Sequence, residues 1–181
     1  MKQLRLVMCV AAALGMAAVS PVHAAATDGK GTVTFNGKLI AETCTLEDDS
    51  VDITVTLPTM STKSLAVAGT EAGSKKFDIK VKDCETGISK VAAHFEAIGA
   101  SGLNSVTGNI KNDSAITNPA NNVEVRLYDA NQAHLPLGST GTLYDVVDKK
   151  ATMTYYGGYY ATGATTAGLV KAVAKFTLSY Q

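Results

Sequence analysis

Apolar and polar residues alternate with a period of two in six separate stretches of this chain, and a 3.6-residue apolar stripe is almost absent. The stretches are Val33-Phe35-Gly37-Leu39, Val51-Ile53-Val55-Leu57, Phe77-Ile79-Val81, Val123-Val125-Leu127, Met153-Tyr155-Gly157-Tyr159 and Val173-Phe176-Leu178-Tyr180, the last with one slip in phase. Successive side chains of a strand point to opposite faces, so this pattern predicts half-buried strands. Residues 47–50, 69–74 and 118–122 are rich in Gly, Pro, Asn, Asp and Ser and predict turns between them. Half-buried strands joined by turns are satisfied by two sheets packed face to face, so an all-β sandwich is expected. Residues 63–68 and 99–116 leave strand, short helix and loop open. No internal repeat, charge block or interdomain linker is present, which leaves room for one domain.

Residues 1–24 stand apart from this pattern. Lys2 and Arg5 precede an apolar run from Leu6 to Val19, followed by Pro21 and a small-residue end, the make-up of a secretory signal peptide. The run is short of the roughly 20 residues that a membrane span needs. The expected cut lies after Ala24, with Val22 and Ala24 at the recognition positions, and a cut after Ala26 also satisfies the rule. The whole chain carries 16 basic and 16 acidic residues. Without Lys2 and Arg5, 14 basic residues face 16 acidic ones, a net charge of −2. The missing basic excess argues against a nucleic-acid partner. With 46 % hydrophobic and 18 % charged residues, the composition is that of a globular chain.

Export also changes the cysteine arithmetic, since Cys9 leaves with the signal and only Cys44 and Cys84 remain. Two cysteines in an exported chain are expected to form one disulfide, with two buried free thiols as the other reading. A zinc site would need more ligands, and His94 and His134 are distant in sequence from both cysteines.

The two ends of the exported chain are the parts that ordinary sandwich logic explains least. Residues 33–39 alternate directly after a short polar tail at residues 25–30, and Gly37 occupies the apolar phase, where glycine usually marks a close backbone approach. At the other end a strand runs to the last residue, Gln181. A terminal edge strand is a template for pairing with another chain.

With both ends in view, the chain resembles a family, the major and minor pilin subunits of fimbriae assembled by the chaperone-usher route. The resemblance rests on the segment from Gly31 to Leu39 running within five residues into Cys44, and on a second cysteine about 40 positions on, preceded by Asp83. It rests also on Tyr159-Tyr160-Ala161-Thr162, on Thr166-Ala167-Gly168, and on a final strand with penultimate Tyr180. It implies an incomplete immunoglobulin-like sandwich lacking its last strand and completed by a donor strand from another chain. Residues 1–24 would be the signal, 25–40 the N-terminal donor extension and 41–181 the pilin domain. In this family a periplasmic chaperone lends a strand until the extension of the next subunit replaces it at the outer-membrane usher. Carried over, Val33, Phe35, Gly37 and Leu39 would be the donor side chains. Phe176, Leu178 and Tyr180 would line the acceptor groove, and the Gln181 carboxylate would be held by basic residues of the chaperone. The other reading of residues 33–39 is this domain's own first strand.

The resemblance thus implies a shaft subunit of a cell-surface fimbria supporting adhesion, a homopolymer of identical or homologous subunits that meets the membrane only through the usher. Two alternatives stand beside it: a minor tip or adaptor subunit, and a self-contained secreted sandwich that binds carbohydrate through outward-facing Tyr156 and Tyr160. No enzymatic activity, cofactor or metal is expected. His94 and His134 have no visible nucleophile partner, residues 47–49 read as a solvated acidic turn, and Gly29-Lys30-Gly31 precedes no helix that could make a phosphate cradle. Asn112-Asp113-Ser114 matches a glycosylation pattern that matters only in a host with that machinery.

Overall fold

The computed structural model describes residues 31–40 and 43–181. The expected signal peptide at residues 1–24, its expected cleavage site and the polar tail at residues 25–30 lie outside the described residues. The chain divides between Lys38 and Leu39 into two units. In the first, the described residues adopt no regular secondary structure, and Val33 and Phe35 are 76 % and 91 % exposed.

The second unit is built from two antiparallel sheets. One holds five strands in the spatial order β1 (Thr45–Leu46), β2 (Glu71–Lys82), β7 (Ala151–Ala161), β5 (Val123–Tyr128) and β4 (Ile110–Lys111). The other holds β6 (Tyr144–Asp145), β3 (Lys90–Ala97) and β8 (Ala174–Tyr180), with β8 at an edge. The alternation seen in the sequence sets the inner faces: Ile79 and Val81 of β2, Met153 and Tyr155 of β7, and Val91, Ala93 and Phe95 of β3 are buried in one core. Tyr155 joins the two sheets. Its ring is fully buried, its hydroxyl accepts the Ala93 N–H at 3.0 Å, and a Cβ on Gly141 would come within 2.5 Å of that ring. Cys44 and Cys84 form a disulfide that ties the start of β1 to the loop after β2.

Several elements differ from the sequence reading, each for a physical reason. The turn expected at residues 69–74 is partly strand, because β2 begins at Glu71 and absorbs the irregularity as a bulge between Ala72 and Lys75. Gly73 takes a φ of +66° there, which a side chain would resist. Residues 99–116 resolve into a 3-10 turn at Gly99–Ser101 and the two-residue β4, and residues 63–68 into a 3-10 turn at Thr62–Leu65. The slip in the last strand disappears: the inward phase runs Ala172-Ala174-Phe176-Leu178-Tyr180, with two alanines continuing it, and Val173 is exposed. Residues 51–57 are not a strand at all.

Candidate functional site: an open cleft along β8

A strand needs a partner, and among the described residues the stretch 52–60 has none. Among the described residues no backbone hydrogen bond involves this stretch, although Ile53, Val55 and Leu57 keep the half-buried phase of an alternating segment. Across from it lie residues 170–176, and between these two lips runs a cleft of about 850 Å³. Its floor includes Phe77, Phe95, Val125, Leu127 and Gly157. The aromatic rings interlock there, with Phe95 edge-on to Tyr155 at 5.0 Å and to Phe77 at 6.4 Å between centroids.

The ladder register shows what the β8 lip offers. Lys90 and Gln181 exchange both backbone hydrogen bonds, at 3.1 and 3.0 Å. In an antiparallel pair every second position does the same, so Ala92–Ser179, His94–Thr177 and Glu96–Lys175 are the bonded pairs. The N–H and C=O groups of Ala174, Phe176, Leu178 and Tyr180 therefore point to the open edge. The side chains of these four residues pack against the core from the same lip. This is the geometry of strand addition: unpaired backbone groups for hydrogen bonding and an apolar trough for alternate side chains.

The C-terminal end of β8 is anchored. The Tyr180 hydroxyl accepts the Cys44 N–H at 3.2 Å, beside the disulfide. The Gln181 main-chain oxygen accepts from Ser89 N–H, Ser89 Oγ and Lys90 N–H at 3.0–3.1 Å. Of the residues singled out from the sequence, Phe176, Leu178, Tyr180 and Gln181 thus share one edge. Val33, Phe35, Gly37 and Leu39 belong to a stretch without regular structure, with Leu39 100 % exposed and nothing within 4 Å of a Cβ on Gly37. Sequence reasoning missed the opposite lip, for which the signal was present as the alternation of residues 51–57. It also missed Val170 and Ala172, whose small or β-branched side chains before β8 carry no distinguishing pattern.

The other singled-out residues have local partners. Tyr160 lies under the Arg126 guanidinium, 3.8 Å from ring centroid to Cζ, and Arg126 in turn bonds Glu71 and Asn109. Its stacking face is therefore taken. Asp49 binds Lys80 Nζ at 2.6 Å, and this partner together with the Ser50 hydroxyl holds its carboxyl below the usual range. His94 Nδ1 meets Thr140 Oγ1 at 2.9 Å. Burial and the charge of Arg126 lower the basicity of His134. Among the described residues no cluster of three metal-ligating side chains occurs.

A family model described as fimbrial protein matches residues 33–181. The major fimbrial subunit SMF-1 of Stenotrophomonas maltophilia is 38 % identical over 175 residues, 91 % of this chain and 99 % of the relative. The type-1 fimbrial protein A chain of Escherichia coli is 33 % identical over 184 residues, covering 100 % of both. Among solved structures, a chaperone-usher pilus described in terms of rod uncoiling superposes with a TM-score of 0.61 at 21 % identity, over 85 % of this chain and 97 % of that one. The crystal structure of the P pilus rod subunit PapA superposes with a TM-score of 0.58 at 19 % identity, over 76 % of this chain and 99 % of that one. The fold is thus the incomplete immunoglobulin-like sandwich of those subunits.

Proposed function

The chain belongs to the fimbrial protein family, and we propose that it is a non-enzymatic structural subunit of a surface fimbria, the repeating unit of the shaft, polymerised by donor-strand exchange. Residues 1–24 direct export to the periplasm, residues 25–40 form the donor extension, and residues 41–181 form the acceptor domain. A periplasmic chaperone covers the cleft first and contacts the Gln181 carboxylate through basic residues. At the outer-membrane usher the extension of another subunit replaces it.

The observation that carries this reading is the open cleft, with an unpaired β8 edge on one side and residues 52–57 on the other. A trough of this kind accepts one more strand, and residues 33–39 have the matching alternation. Val33, Phe35 and Leu39 supply the apolar side chains, and Gly37 takes the fourth position of that phase, where glycine allows a close backbone approach. Burying three such side chains contributes roughly 1.5–3 kcal/mol each, before the ladder bonds. Extension of one subunit into the cleft of the next is a head-to-tail contact that does not close on itself, and its product is a filament.

Electron microscopy and gel filtration of the exported chain, with and without residues 25–40, test the reading. Filaments or detergent-resistant multimers that vanish on truncation are expected. A monomer of unchanged melting behaviour in both forms would overturn donor exchange. Gly37→Trp is expected to block polymerisation while sparing the chaperone complex, and normal filaments from that variant would displace the register that turns Gly37 into the cleft.

A further inference from the structure

The open edge begins before the first residue of β8. Upstream, Lys171 donates its N–H to Asn112 Oδ1 at 2.8 Å, Val173 donates to Ser101 Oγ at 3.0 Å, and Asp113 donates to the Lys171 carbonyl at 2.8 Å. The odd-numbered residues from 171 to 179 thus all turn their backbone groups away from the cleft, first to two side chains and then to β3. Val170 and Ala172 make no backbone hydrogen bond among the described residues. Together with Ala174, Phe176, Leu178 and Tyr180 they form one row of six unpaired positions. That row is about 33 Å long, whereas residues 33–39 span about 20 Å when extended. The cleft itself continues accordingly, because a second cavity of about 390 Å³ shares Tyr159 and Val170 with the first and reaches Leu65 and Val123.

We propose that strand addition uses the whole edge from Val170 to Tyr180, and that Asn112 and Ser101 are the positioning residues that hold its upstream third extended. The inference rests on the donor-strand reading above. Without a strand beside them, residues 170–173 would lose the backbone pairing that keeps a segment straight, and two side-chain oxygens substitute for that strand. Asn112 is used fully in this way. Its Nδ2 donates to the carbonyls of Ala120 and Leu169 at 2.8 and 3.1 Å, which clamps the segment onto the preceding loop. Ser101 is buried, so its hydroxyl has little water to compete for it. Gly168 completes the clamp, since a Cβ there would meet Ala120 N at 2.5 Å. A donor that fills six positions draws on residues flanking 33–39.

Amide hydrogen exchange on the full chain, kept dilute, with and without a synthetic peptide of residues 27–40, tests this. Slowing of exchange by roughly tenfold or more at Val170 and Ala172, as well as at Phe176, Leu178 and Tyr180, is expected. Protection confined to the last three would overturn the longer edge and leave donor exchange standing. Protection at none of them would overturn donor exchange itself. The Ser101→Ala and Asn112→Ala double variant is expected to lose protection at Val170 and Ala172 alone and to capture the peptide roughly tenfold more slowly. Ser101→Thr, which keeps the acceptor, is expected to behave as the unaltered chain. A uniform fall in protection along β8, or no change, would show that the two residues do not position the edge.

Discussion

Phe95 and Phe176 stand directly opposite each other across the β3–β8 ladder, with ring centroids 6.2 Å apart, yet they are unequally covered. Phe95 is buried between β8 and the rest of the core, whereas Phe176 is half-buried because, among the described residues, no strand pairs with the outer edge of β8. A strand added to that edge covers the exposed half. Phe176→Ala is therefore expected to cost about 3–5 kcal/mol in the donor-bound state, the range for a buried phenylalanine, and roughly half that in the isolated chain. Guanidinium unfolding of both states reads the difference. Equal losses would mean that the donor does not cover Phe176.

Gly157 and Gly158 are neighbours on β7 with opposite tolerances. A Cβ on Gly157 would meet nothing closer than Val125 Cγ1 at 3.9 Å and would project into the cleft floor. A Cβ on Gly158 would lie 3.2 Å from Ser74 Cα, on backbone that cannot swing aside. Gly157→Leu is expected to leave the melting temperature of the isolated chain within a few degrees and to abolish capture of a donor peptide. Gly158→Ala is expected to destabilise the chain, by roughly 1–3 kcal/mol as overpacking does, while leaving the peptide site open. Thermal melts paired with peptide binding separate the two effects.

The sandwich was legible because its inner faces repeat every two residues, a signal that Ile79-Val81 and Met153-Tyr155 carry without help from neighbours. The cleft was half legible. Phe176, Leu178 and Tyr180 show the phase of an edge strand, but nothing in residues 51–57 distinguishes a strand with a partner from one without. The alternation there is as clear as in β2, and only the spatial order of strands reveals that no partner is present among the described residues. The contributions of Asn112 and Ser101 could not be read from sequence at all. Their carbonyl and hydroxyl oxygens act on Lys171 and Val173, 59 and 72 positions away.

The disulfide joins Cys44 and Cys84 across 40 positions, and Tyr180 is bonded to the backbone of Cys44 itself. In the chain-entropy account a closed loop of that length disfavours the unfolded state by roughly 4 kcal/mol. Replacing both cysteines by Ala is expected to remove most of that stability and to lower the recovery of folded chain on expression. Peptide capture at the Tyr180 end should weaken as well, because the Cys44 N–H loses its fixed place. Unchanged denaturation midpoints would show the bridge to be dispensable.

Tyr155 is one of the buried tyrosines that tie stability to alkaline pH. Its burial between the sheets pushes the phenol up to about 12, against the partial opposition of the Ala93 N–H that bonds its oxygen. The unfolded chain ionises such a group near pH 10, so between about pH 10 and 12 the folded state holds a proton that the unfolded state has released. Stability then falls as pH rises through that window, by about 1.4 kcal/mol per pH unit for this one residue. Below pH 10 both states are protonated and the contribution is fully present. Tyr155→Phe removes the linkage and is expected to flatten the decline in that window. The variant should be less stable at neutral pH, by about 1–3 kcal/mol, because the Ala93 N–H is left buried without an acceptor. Tyr128, Tyr144 and Tyr159 are also pushed upward by burial, so the decline is reduced without vanishing. Denaturant titrations of both chains across this range, followed by tyrosinate absorbance, measure the slopes. Parallel curves would show that Tyr155 does not contribute to the alkaline decline.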